Sequence, residues 1–151
     1  KSEYYNRFSG VEAGTDEFNK IWRDIASNHP KEFRSAQHDY IKKTHYNIQI
    51  NSILSRCGFP IHNKNAALND LVWSTGVQFG PRTKLIEKAI KDLDISSASI
   101  IEIIGAVQDY KISNNARLFA SSPTLQPGLL ARAKDEKRKL LELEMTDYEI
   151  E

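Results

Sequence analysis

One cysteine in 151 residues, Cys57, leaves no partner for an internal disulfide. A lone cysteine reads more readily as a small buried apolar residue than as a nucleophile. Its place beside Gly58 at a helix end, where the dipole is negative, would raise a thiol pKa rather than lower it. No run approaches the roughly 18 apolar residues of a membrane helix, and no secretion signal stands at the start. The chain opens on Lys-Ser-Glu-Tyr-Tyr without Met, as a fragment or processed product would. An excess of either charge is also missing. With 21 basic and 20 acidic residues the formal net charge is +1, which supplies no electrostatic reason to expect nucleic acid or a membrane surface as partner. The exception is local: Glu142, Glu144, Asp147, Glu149 and Glu151 make an acidic tail, expected to be solvated, with its last part at 144–151.

Catalytic and metal-binding signatures are equally scarce. No H-E-x-x-H, cysteine pair or EF-hand loop accompanies His29, His38, His45 and His62, so no metal is expected. Ser74 lacks a nucleophile-elbow setting, and no P-loop or dinucleotide fingerprint is present. No cofactor is implied.

Alternating β-branched runs are absent too, and apolar residues instead recur at three and four, which predicts an all-α chain. Helices are expected over about 16–27 with Thr15 as N-cap, from Pro30 to a stop or bend near Thr44-His45, over about 48–57 ending at Gly58, and over about 66–79 ending at Gly80-Pro81. Further helices are expected over about 82–93, from a Ser99/Glu102 capping box, with Ser97 an equal candidate for the cap, to about 112, over about 115–120, and over about 129–143. Phe33, Ala36, Tyr40 and Ile41 form the apolar stripe of the second helix, and Trp22 reads as core. No repeat or low-complexity linker divides the chain, so 1–151 reads as a single helical domain.

Two stretches exceed what packing asks for. In "LVWSTGVQFGP" the polar residues Ser74, Thr75 and Gln78 interrupt a helix whose apolar stripe is Ala67, Leu68, Leu71 and Val72. Trp73 adjoins them, and an aromatic ring beside amides and hydroxyls suits a sugar, although a Trp at helical spacing is more often core. In "SAQHDYI" Asp39 stands beside Gln37 and His38. A glycosidase needs two carboxyl groups across the scissile bond. The carboxylates weighed are Glu12, Asp16, Glu17, Asp39 and Asp70. Asp16 and Glu17 read as first-turn helix acids, Asp70 as a partner for a solvent lysine, and Asp39 as the most interesting. The bland alternative places Tyr40 in the core and Gln37, His38 and Asp39 in water.

"FRSAQHDYIKKTHY" and "ALNDLVWSTGVQFGPRTKLIEKAI" resemble a family of lysozyme-like peptidoglycan hydrolase domains found in type VI secretion spike effectors and phage tail proteins, distantly similar to chitosanases. Phe33, Ala36, Gln37, His38, Asp39, Tyr40 and Ile41 match its first motif. Val72, Trp73, Ser74, Val77, Gln78, Gly80 and Pro81 match its second; Gly76 and Phe79 stand where the pattern has Ala and His. The resemblance implies a lysozyme-like helical domain or its larger helical lobe, and hydrolysis of β-1,4 glycan strands by a Glu/Asp pair. It places that pair in a segment rich in Gly, Ser and Tyr, upstream of Lys1. What transfers to this chain is a supporting shell of Gln37, His38, Asp39, Trp73, Ser74 and Gln78, with Gly76 allowing close helix approach. Implied partners are peptidoglycan, a spike or tail protein and a cognate immunity protein. The implied place of action is the periplasm of a target bacterium. Two other readings stand beside this one: a non-catalytic glycan-binding or spike-attached module, and a helical adaptor for protein partners.

Overall fold

The computed structural model describes residues 4–59, 61 and 65–148, with side chains as far as Thr146. Among these residues the chain is all-α, with no strand. It groups into two compact units, Lys1–Lys43 and Thr44–Glu151.

The first unit holds a short 3-10 turn at Tyr5–Phe8, α1 (Asp16–Asn28) and α2 (Pro30–Ile41). Thr15 caps α1 as expected, its hydroxyl oxygen accepting from the Phe18 N–H at 3.2 Å. Asp16 and Glu17 fill the first turn, where the N-terminal dipole favours acids. α2 begins on Pro30, whose missing N–H costs nothing in a first turn. Tyr4, Ile25 and Phe33 are the buried centre, with Phe8, Ile21, Ala26 and Ala36 packed around them. Two expectations fail here. Trp22 is 40% exposed, because it caps an aromatic cluster rather than filling it; its ring meets Phe33 edge-on at 4.8 Å. Tyr40 is 67% exposed, so the stripe of α2 does not bury it.

The chain does not leave helical conformation near Thr44-His45. Lys42–Tyr46 widens into a π-helical segment, and α3 (Asn47–Cys57) follows directly. Gly58 then takes the left-handed cap conformation. α4 (Ala66–Phe79) starts on Asn65, whose side-chain oxygen accepts from the Leu68 N–H at 2.8 Å. α5 (Leu85–Ile90) is shorter than the apolar pattern suggests at both ends: a turn closed by the Thr83 N–H on the Gly80 carbonyl precedes it, the Thr83 hydroxyl accepting from the Leu85 N–H, and a second turn closed by the Leu93 N–H on the Ile90 carbonyl follows it. α6 (Ile100–Ser113) opens with the full capping box between Ser99 and Glu102. α7 (Asn115–Leu118) and a 3-10 turn (Pro123–Leu125) lead into α8 (Gln126–Tyr148).

In this second unit α8 packs on α6 and α4, and α5 packs on α6. The core joins Leu68, Leu71 and Val72 of α4 to Ile86, Ile103, Ile104, Val107 and Leu140. The expected acidic tail is helical through Tyr148. Glu144 is buried and accepts a hydrogen bond from the Asn65 side-chain amide, so the end of α8 is tied to the start of α4. Glu142 is exposed and pairs with Arg138 at 2.7 Å. The side chains of residues 147–151 lie outside the described set.

Candidate functional site

The polar residues of α4 divide between its two faces. Thr75 is fully buried, and its hydroxyl donates back to the Leu71 carbonyl at 2.7 Å. Gly76 is buried beside it. A Cβ built on Gly76 would lie 3.6 Å from Gln49 Cβ and 3.7 Å from the His45 carbonyl oxygen, which is ordinary van der Waals contact. The helices meet here with room for a methyl group, so the expected close approach does not require glycine at this position. Asp70, Trp73 and Ser74 lie on the other face, at the three- and four-residue spacing that aligns side chains on a helix. They form one wall of an open cleft of about 520 Å³. Arg132, Asp135, Glu136 and Lys139 of α8 form the other. Gln78, one turn beyond Ser74, is half-buried and does not line it.

Trp73 is held from behind. Its ring lies 5.7 Å from that of Tyr46, tilted by 39°, and the Tyr46 hydroxyl donates to Asn69 Oδ1 at 2.9 Å. Burial pushes the Tyr46 phenol up from its ordinary value, which keeps it a neutral donor. Asp70 makes no ion pair among the described residues, contrary to the expected solvent lysine. Although the side chain is accessible, the cleft walls displace enough water to push its carboxyl up from the ordinary value.

At the base of the cleft the Ser74 hydroxyl donates to Glu136 Oε1, so Ser74 is committed within the unit. The same oxygen lies 3.6 Å from Lys111 Nζ, whose side chain is only 2% exposed. That ammonium also sits 5.9 Å from the centre of the Phe79 ring. Burial pushes Lys111 below the ordinary lysine value, and the Glu136 charge opposes the shift. Lys111 stands in the last turn of α6, where unsatisfied carbonyls favour a cation.

The remaining candidates lie elsewhere. Gln37, His38 and Asp39 belong to the first unit, whereas Trp73, Ser74 and Gln78 belong to the second. Gln37 is half-buried on α2; His38 and Asp39 are exposed neighbours, with Nδ1 and Oδ1 3.6 Å apart. Asp39 borders a shallow, open depression with Lys31, Glu32 and Ser35. Cys57 is exposed rather than buried, and desolvation together with the Glu87 charge pushes its thiol up, away from thiolate chemistry. The His45 ring nitrogen is engaged by the Thr44 hydroxyl at 2.8 Å, and the His29 ring lies 6.0 Å from that of Tyr4. His62 falls outside the described residues.

Residues 1–137 match the family described as type VI secretion system spike protein VgrG3-like, C-terminal. The chain belongs to that family. It is also similar to the type VI secretion system spike protein VgrG3 of Vibrio cholerae serotype O1 (strain ATCC 39315 / El Tor Inaba N16961), at 47% identity over 150 residues. That match takes in 99% of this chain and 15% of the relative, so the chain spans about 15% of the length of the curated protein it matches.

In this member of the VgrG3-like C-terminal family, the cleft uses residues that motif reading passed over. Glu136, Lys111 and Arg132 stand in neither motif, yet two of them are detectable from their spacing. Lys111 continues the buried spacing Ile104, Val107, Gln108 along α6. Glu136 falls between Ala133 and Leu140 on the inward face of α8. A charge in register with an apolar stripe marks a buried or half-buried ion.

Proposed function

We propose that this chain is part of a peptidoglycan-cleaving glycoside hydrolase, the effector module of a type VI spike protein. The observation that carries the reading is the family match over residues 1–137, which places the chain among spike-protein C-terminal regions. The lysozyme-like motif pattern supplies the chemistry. One carboxylic acid would protonate the glycosidic oxygen, while a second would activate water or attack the anomeric carbon. The resemblance assigns that pair to a segment outside residues 1–151. The helices described above then serve as the supporting lobe, with Gln37, His38 and Asp39 on one unit and Trp73, Ser74 and Gln78 on the other. Delivery to the periplasm of a target bacterium, and a cognate immunity protein, belong to the same reading.

The test is release of reducing ends from purified sacculi by a whole spike protein and by residues 1–151 alone. Turnover by the whole protein, abolished by substitution of acids outside this chain, is the expected result. Full turnover by residues 1–151 would move the acid pair into the chain and turn attention to Asp39 and Glu12. One observation favours a second reading, a module that binds glycan without cleaving it. Glu136, the carboxylate at the base of the cleft, accepts from Ser74 and lies 3.6 Å from the Lys111 ammonium, so it is already engaged within the unit. Retention of sacculi without turnover by the whole protein would select that reading.

A further inference from the structure

We infer that the cleft between α4 and α8 is a saccharide subsite for uncharged sugar rings, held by Trp73, Asp70 and Arg132. The inference rests on the glycan reading above and adds which residues grip the sugar and which sugar chemistry they accept.

Charge balance sets the ligand class. Lys139 and Arg138 pair with Asp135 at 2.7 Å and 2.8 Å, Arg138 also pairs with Glu142 at 2.7 Å, and Lys111 stands behind Glu136. Asp70 and Arg132 are the remaining acid and base of the lining; neither makes an ion pair or side-chain hydrogen bond among the described residues. The three acids of the lining, with Glu142 beside them, are thus matched by the four cations Arg132, Lys139, Lys111 and Arg138, which favours neither an anionic nor a cationic ligand. Asp70 and Arg132 instead present a planar acceptor and a planar donor from facing helices. Asp70 is suited to accept from two vicinal hydroxyls, or from a hydroxyl and an acetamido N–H, and Arg132 to donate to two hydroxyls, or to a hydroxyl and an acetamido carbonyl, in two-pronged fashion.

Trp73 supplies the apolar face such a ring needs, and the Tyr46 brace fixes it before ligand arrives, which lowers the ordering cost of binding. The Ser74–Glu136–Lys111 linkage holds the floor in the same way. Partial exclusion of water, felt by Asp70 as a raised pKa, strengthens hydrogen bonds made there. The volume, about 520 Å³, lies inside the roughly 300–1,000 Å³ of small-ligand sites and leaves room for more than one ring.

The experiment titrates residues 1–151 with the β-1,4 tetramer of N-acetylglucosamine, read by calorimetry and by amide chemical shifts. Asp70→Ala, Arg132→Ala and Trp73→Phe are compared, with circular dichroism as the check on folding. Asp70 and Arg132 are both exposed, so their variants are expected to fold. Saturable binding that persists in high salt and weakens about tenfold in Asp70→Ala and in Arg132→Ala supports the subsite; tenfold is about 1.4 kcal/mol. Unchanged affinity in both variants overturns it, as does displacement of the tetramer by a sugar-free stem peptide. The same substitutions in a whole spike protein separate the two readings. Sacculus cleavage that proceeds normally in both variants sinks the subsite and leaves the hydrolase standing. Tetramer binding that is lost in the variants, in a protein that never cleaves sacculi, keeps the subsite and sinks the hydrolase.

Discussion

Gly80 and Gly76 ask opposite things of the backbone. Gly80 closes α4 at φ 92° and ψ 154°, a region that a Cβ excludes on steric grounds. Nothing crowds that Cβ position, so the whole penalty of a substitution is conformational. Gly80→Ala is expected to cost about 1–3 kcal/mol, seen as a lower urea midpoint with an unchanged slope. Gly76 lies inside the helix with room for a methyl group. Gly76→Ala, which restores the residue of the family pattern, is expected to stabilise by up to about 1 kcal/mol; a fall in melting temperature would contradict the contact distances around it. Asp70 makes the third residue-level case. Its folded pKa is raised above its unfolded value, so ionisation costs the folded state stability as pH rises through the carboxylate range, and the cost persists at neutrality. Asp70→Asn is therefore expected to melt higher than the parent near neutral pH and alongside it well below the ordinary aspartate value. Equal melting at both ends would mean that the cleft does not desolvate the carboxyl.

Along α6 and α8 the same reasoning applies to a pair. Glu136→Gln leaves the Lys111 ammonium buried without its counter-charge and is expected to cost about 3–5 kcal/mol. The sign of the pH dependence is a separate check. Lys111 already titrates below its ordinary value, so stability rises with pH between its folded and unfolded values. Removing Glu136 lowers the folded value further and widens that window on its lower side. The variant should regain stability on alkalinisation more steeply than the parent, and Glu136→Gln with Lys111→Met should recover much of the loss at neutral pH. This pair also marks how far the sequence could be read. α1, α4 and α6 were legible nearly to the residue, because Thr15, Asn65 and Ser99 cap them and apolar spacing continues to a clear stop. α5 was overdrawn because spacing alone does not register the Thr83 turn, and α8 was cut short because Glu144 read as solvent-facing. Of the cleft lining, Trp73 and Ser74 stand in the second motif, whereas Arg132 and Glu136 come from a helix far along the chain. Only tertiary packing of α8 on α4 brings them to the cleft.

The two units of the whole chain differ most in what they bury. Residues 44–151 share one continuous apolar core built from α3 through α8. Among the described residues of the first unit three side chains are buried, Tyr4, Ile25 and Phe33, and an aromatic cluster leaves Trp22 partly in water. A chain of that length buries a smaller fraction of its surface, and below about 40 residues a core alone is usually insufficient. The first unit is therefore expected to open at lower denaturant than the second, as a separate low-stability segment. Each unit carries one of the two tryptophans, Trp22 and Trp73, so the comparison needs no added probe. Trp73→Phe leaves Trp22 to report the first unit, and Trp22→Phe leaves Trp73 to report the second. The Trp22 signal should move first in a urea titration, ahead of the Trp73 signal and of most of the helical circular dichroism, with Phe33→Ala widening the gap. Coincident transitions in both single-tryptophan proteins would mean that residues 1–43 draw their stability from the rest of the chain, and that two cores fold as one cooperative unit.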